Sequence, residues 1–259
     1  MRELTGIKTR QKVHTLHTRL VIWKIAAALL IAVSAGSIYL ALQNRQAPDL
    51  LQAYIPTTEM QNITLPDGTQ VMINSESTLL YPQQFTGDSR CVYLVGEANF
   101  KVRRDEAHPF IVKSADFQVT ALGTEFNVRS YSPTDVRVTL ITGKVAVSDT
   151  CGVHSVEMVP GQSVQLSSDG TFAVNEVDIE SFLYWKEGFF YFDDVALVDM
   201  MKEIGRWYNI DIEFRNSKIM DLRMHFFANR HQDIFHLIEL LNRMERIHAY
   251  FEAGKLIIE

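Results

Sequence analysis

The 259-residue sequence predicts a single-pass membrane protein whose bulk is an all-β domain, solenoid-like or sandwich, followed by a small α+β domain of the βαββαβ type. Three features predict it. An uncharged apolar run lies near the N-terminus, five short strands follow glycine turns in the middle, and two helical apolar stripes alternate with strands near the C-terminus.

Residues 1–19 read as a short basic tail and 20–43 as a transmembrane helix. From Ile25 to Gln43 nothing is charged, and such a run forms a helix of roughly 29 Å, about one hydrocarbon core. Arg19, Trp23, Lys24 and Tyr39 are the expected membrane anchors, because aromatic rings and long basic stems suit the headgroup level. Residues 1–24 hold six Lys/Arg and one acid, which leaves 19 and 30 of the chain's 25 basic and 31 acidic residues beyond them, a net of −11. The basic flank puts the N-terminus in the cytoplasm and the acidic bulk outside. A cleaved signal peptide is the alternative, since AVSAGS offers small residues, although the apolar run continues through IYLAL. The acidic bulk argues against direct nucleic-acid binding, which needs a basic face to neutralise phosphates.

Residues 44–59 read as a linker. Between 60 and 177 an aliphatic residue precedes a glycine turn and a strand five times, in LPDGTQVMI, LVGEANFKV, ALGTEFNVR, ITGKVAVS and VPGQSVQL. The structural turns are Gly68, Gly96, Gly123, Gly143 and Gly161, and no helix is expected there. Cys91 and Cys151 permit one disulfide, but their spacing carries no metal or redox motif, so two unpaired thiols are the preferred reading.

From 178 to 259 the pattern is mixed. DIESFLYWKEG suggests a helical link and FFYFDD a strand. Leu197, Met200, Met201, Ile204 and Trp207 share one helical face, with Asp194 as its expected cap. Ile234, Leu237, Ile238 and Leu241 form a second stripe behind Asp233, and AYFEAGKLIIE closes as a hairpin. Both helices are expected on one face of one sheet, leaving its other face and edges for a partner. In the run Phe189-Phe190-Tyr191-Phe192, alternate residues face opposite sides. The β-rich domain or a partner must cover the second face. The first and last strands of this domain are the expected sites of strand addition, with Phe189, Tyr191, Lys255 and Ile257 as partner-binding residues.

No catalytic, metal or cofactor site is legible. GQSVQ lacks the second glycine of a nucleophile elbow, and ITGKVAV has no phosphate-loop frame. His231 and His236 are five apart, about 140° around a helix, a poor chelating pair. Asp193-Asp194 reads as a cap or turn, and His14 and His17 as solvated members of the basic tail.

LPDGTQVMINSESTLLYP, VYLVGEANFKV, HPFIVKSADFQVTALGTEFNV and VTLITGKVAV, followed by the VPGQSVQL turn, in that order from about Ile63 to Leu166, resemble the FecR family of membrane-bound anti-sigma regulators. The stretch from WKEGFFYF to KLIIE is similar to the C-terminal domain beside it, of the secretin/TonB short N-terminal kind. The resemblance implies an inner-membrane protein with a periplasmic bulk. Its implied partners are an extracytoplasmic-function sigma factor in the cytoplasm and the signalling domain of a TonB-dependent outer-membrane transporter. It implies neither enzyme activity nor a cofactor. The departure is the tail MRELTGIKTRQKVHTLHTR, too short to build the usual helical anti-sigma core. A truncated gene model, action through a partner, and loss of sigma control are all compatible with it. A membrane-tethered periplasmic adaptor without sigma control is the alternative function.

Overall fold

The computed structural model describes residues 23–39, 50–115, 117–133, 135–150, 153–167 and 171–259. Residues 23–39 form a helix, α1, with every residue exposed, including Trp23, Lys24 and Tyr39. Among the described residues no helix is long and apolar enough to cross a membrane. Arg19 and both ends of the expected span lie outside the described residues. Residues 1–48 form one unit and 49–259 a second.

The second unit opens with strands β1 (Leu50–Ile55), β2 (Gln61–Thr64), β3 (Gln70–Ile73), β4 (Ser77–Pro82) and β5 (Arg90–Lys101). There follow β6 (Phe110–Lys113), β7 (Phe117–Ala121), β8 (Glu125–Ser130), β9 (Val136–Thr142), β10 (Val145–Asp149), β11 (Ser155–Met158), β12 (Gln162–Leu166) and β13 (Phe172–Glu176). The expected linker thus contains a strand, since β1 is paired to β4 over its whole length.

All thirteen strands belong to one sheet, and the twelve-residue β5 folds it in two. Its first half pairs with β4 and β6, and its second half with β3 and β8. Gly96 is the pivot, at φ +103° and with Ser77 where a Cβ would stand. The Ser77 hydroxyl accepts from the Glu97 amide at 2.9 Å. One half-sheet runs β1-β4-β5-β6-β7-β10-β11 and the other β2-β3-β5-β8-β9-β12-β13. Their inward residues, such as Leu79, Phe110 and Val119 from one half and Ile73, Phe100 and Phe126 from the other, share one core. This is the sandwich of the two expected architectures. A solenoid is excluded because, among the described residues, every ladder of this sheet except β5–β6 is antiparallel.

The C-terminal elements are α2 (Ile179–Lys186), β14 (Phe189–Ala196), α3 (Leu197–Tyr208), β15 (Ile212–Phe214), β16 (Arg223–Asn229), α4 (Ile234–Arg243), β17 (Ala249–Glu252) and β18 (Lys255–Ile258). Their order agrees with the expectation, but the single sheet does not. Among the described residues β14 pairs only with β16, while β15, β18 and β17 form a separate sheet. α3 touches both sheets, so its apolar stripe closes a second core between them rather than on one sheet.

Candidate partner-binding surface

β14 sets the aromatic surface. Phe190 and Phe192 point inward and are buried, as strand alternation demands, so Phe189 and Tyr191 point outward. Tyr191 lies opposite Phe227 of β16. α2 packs on β14 and brings Tyr184 onto Tyr191, with ring centroids 4.7 Å apart. Phe189 stacks on Phe227 at 5.0 Å, and Tyr184 meets Phe227 edge-on at 5.6 Å. The second face of the FFYF run is therefore covered by the chain's own linking helix, and only in part: Phe227 stays 52% exposed. β14 and β16 each keep an unpaired edge among the described residues.

A bulge after Phe192 bounds this surface. There Asp194 adopts φ +52° and pairs with Arg223 at 3.0 Å, while Asp193 meets the His225 ring at 2.5 Å. Asp194 is thus a turn residue and not the cap of α3, whose first two amides donate instead to the carbonyls of Leu222 and Met220.

The other expected binding strand is closed to strand addition. β18 lies between β15 and β17, so both of its edges are already in ladders. Ile257 is buried, and Lys255 pairs with Glu213 at 3.1 Å. The sequence marked this strand as β-prone and terminal. Being last in the chain does not put a strand last in its sheet.

The residues that sequence reasoning missed hold the two cores together. On the outer face of the second half-sheet, Asn99, Asn127, Thr139 and Ser163 form one transverse row, and all are buried. Beside it, buried Glu97 accepts from the amides of Asn74 at 3.0 Å and Asn127 at 2.9 Å. Arg129 approaches Glu97 and, from α3, Glu203, each at 3.4 Å, and donates to Asp135 at 2.9 Å. Arg206, also on α3, stacks over the Tyr131 ring at 3.6 Å, and Arg230 completes the set against Glu203 at 2.5 Å. Lys186 of α2 adds a bond to Glu125 at 2.6 Å. The joint is polar and largely ionic. Burial alone would raise the Glu203 carboxyl, but Arg230, Arg129 and Arg206 hold it below its ordinary range. Burial likewise opposes the Asp135 charge, and the Arg129 hydrogen bond overrides it. Burial, then the Glu97 charge, push the Tyr131 phenol upward, so it stays neutral. The only sign of this joint in the sequence was a set of charged residues on otherwise ordinary strand and helix faces.

Gly68, Gly96, Gly143 and Gly161 have positive φ, whereas Gly123 does not. Cys91 is a free, half-buried thiol whose pKa burial raises. Cys151 lies outside the described residues. Among those residues no group of three or more His, Cys, Asp or Glu is placed to hold a metal ion.

Two family models match the chain: the FecR protein model over residues 53–146 and the FecR, C-terminal model over residues 189–258. No curated protein matches it. Two crystal structures of a candidate anti-sigma factor from Parabacteroides distasonis ATCC 8503, at 2.50 Å and 1.65 Å, are 26% identical to it, with TM-scores of 0.72 and 0.73. Each alignment covers 81% of this chain and 98% of that one. Both halves of the second unit thus match in order and in fold, and the chain belongs to the FecR family.

Proposed function

We propose that this chain is a membrane-anchored, non-enzymatic anti-sigma regulator. In this reading residues 20–43 span the inner membrane and the basic N-terminus meets an extracytoplasmic-function sigma factor. The unit from residue 49 onward receives the signalling domain of a TonB-dependent transporter in the periplasm. One observation carries the reading: the FecR and FecR C-terminal segments occur together, in the order and fold of a candidate anti-sigma factor. The acidic composition beyond residue 24 and the half-covered aromatic surface around Phe227 support a protein-binding exterior.

Capture from membranes tests it. Tagged full-length chain is expected to retain both the sigma factor and the transporter's signalling domain. Phe227→Asp should weaken capture of the signalling domain by about tenfold or more, the scale of losing one aromatic anchor, and leave the sigma factor bound. Capture of the signalling domain without the sigma factor would make the chain an adaptor, and capture of neither would refute the proposal.

A further inference from the structure

The two outer faces of the sandwich are opposites. The face toward α2 and α3 is polar and buried, whereas the outer face of β1, β4, the first half of β5, and β6 is apolar and open. Register places Tyr54, Thr78 and Val95 in one row, and Gln52, Leu80, Tyr93 and Lys113 in the next. Val95 is 62% exposed, Tyr54 60% and Tyr93 43%. We propose that this face rests on the lipid headgroup surface of the membrane in which the chain is anchored. The proposal builds on the membrane-anchored reading above.

Charge selects the occupant. The chain beyond residue 24 carries a net −11, yet the outward positions of β1, β4, β6 and the first half of β5, up to Val95, include no acid. The one charged residue among these positions is Lys113, whose ammonium lies 6.0 Å from the Tyr93 ring centroid. An anionic bilayer is repelled by the rest of such a surface and accepted here. Tyrosine rings with a basic stem are the composition that settles at headgroup level, where apolar area and attraction to anionic lipid act together.

Chain length makes the contact available. Ten residues separate α1 from Leu50, and that interval reaches at most about 40 Å when fully extended. The chain enters the sandwich at β1, which is itself the border of this face and carries exposed Leu50 and Tyr54. A tether this short raises the local concentration of membrane at the face, so even weak affinity suffices for docking.

The test uses residues 49–259. They form a unit of their own, and the share of this chain that the Parabacteroides crystals match, 81%, is about the share that this unit makes up. The fragment is expected to sediment with vesicles of phosphatidylethanolamine and phosphatidylglycerol, and less with phosphatidylcholine alone. Val95→Glu and, separately, Tyr54→Glu should each lower partitioning by about tenfold with an unchanged melting temperature. Val174→Glu is the control, since Val174 is 43% exposed on β13, outside this face. Failure of the wild-type fragment to sediment, equal binding by Val95→Glu, or self-association in place of vesicle binding would each overturn the proposal. The fragment lacks residues 23–39, so a negative result leaves the anchor reading standing. A compartment-specific reporter fused after Glu259 tests that reading separately.

Discussion

A Cβ at Gly123 would stand 2.7 Å from the Arg104 Cβ and 2.8 Å from its Cα. Backbone cannot retreat as a flexible side-chain tip can, so any side chain forces the two segments apart. At Gly161 the constraint is different: φ is +87° and nothing lies within 4 Å of a Cβ. The first glycine is required by close approach and the second by its dihedral alone. Gly161→Ala should therefore cost about 1–2 kcal/mol, the left-handed penalty, whereas Gly123→Val combines overpacking with displaced backbone and should cost about 3 kcal/mol or more. Urea unfolding of residues 49–259 separates them, and equal midpoints would contradict the distinction. The recurring glycine turns were legible because φ and close packing both demand the same residue. Which demand applies depends on Arg104, some twenty positions away, and no local pattern records it.

Elements were legible where their own sequence satisfies their ends. α4 begins at Asp233, whose carboxylate accepts from the Phe235 amide at 2.7 Å. The capping residue and the apolar stripe behind it could be read together. α3 has an equally clear stripe but no side-chain cap, because the carbonyls of Leu222 and Met220 serve its first turn. Those donors and acceptors meet only after β16 has folded against β14. The same limit applies to β18, whose composition announced a strand while its place between β15 and β17 came from pairings outside its own residues. Asp233→Ala should accordingly destabilise residues 49–259 by about 1 kcal/mol. Asp194→Asn should change stability by less than about 0.5 kcal/mol, since asparagine tolerates the left-handed conformation and the Arg223 pair is exposed. Similar losses for the two variants would mean that Asp194 supports α3 after all.

At the scale of the molecule, two apolar cores are joined through a polar seam, and the seam has a pH at which it should fail. Contacts between such parts, being more polar than a core, are the ones that part first. Glu203 and Asp135 have folded pKa values below their ordinary 4.5 and 3.8, so both favour the folded joint when ionised. Their contribution is complete above those ordinary values and is lost as the pH falls through the lower, folded ones. Guanidinium groups as a class stay charged over this range. Acid therefore leaves the guanidiniums of Arg129, Arg206 and Arg230 at the seam without the charges of Glu203 and Asp135 beside them. The sandwich core itself is packed from aliphatic and aromatic side chains. The two stages can be observed separately because, of the chain's three tryptophans, residues 49–259 retain Trp185 and Trp207, both on the C-terminal side of the seam. Acid titration of this fragment should change tryptophan emission at a higher pH than it changes the far-ultraviolet β signal. Glu203→Gln should weaken the fragment at neutral pH by about 3 kcal/mol or more, the cost of stripping one partner from a buried ionic cluster, and should move the tryptophan transition less with pH than in the wild type. Coincident transitions in wild type and variant alike would mean that the seam and the sandwich unfold as one, and that the ionic cluster only fixes their geometry.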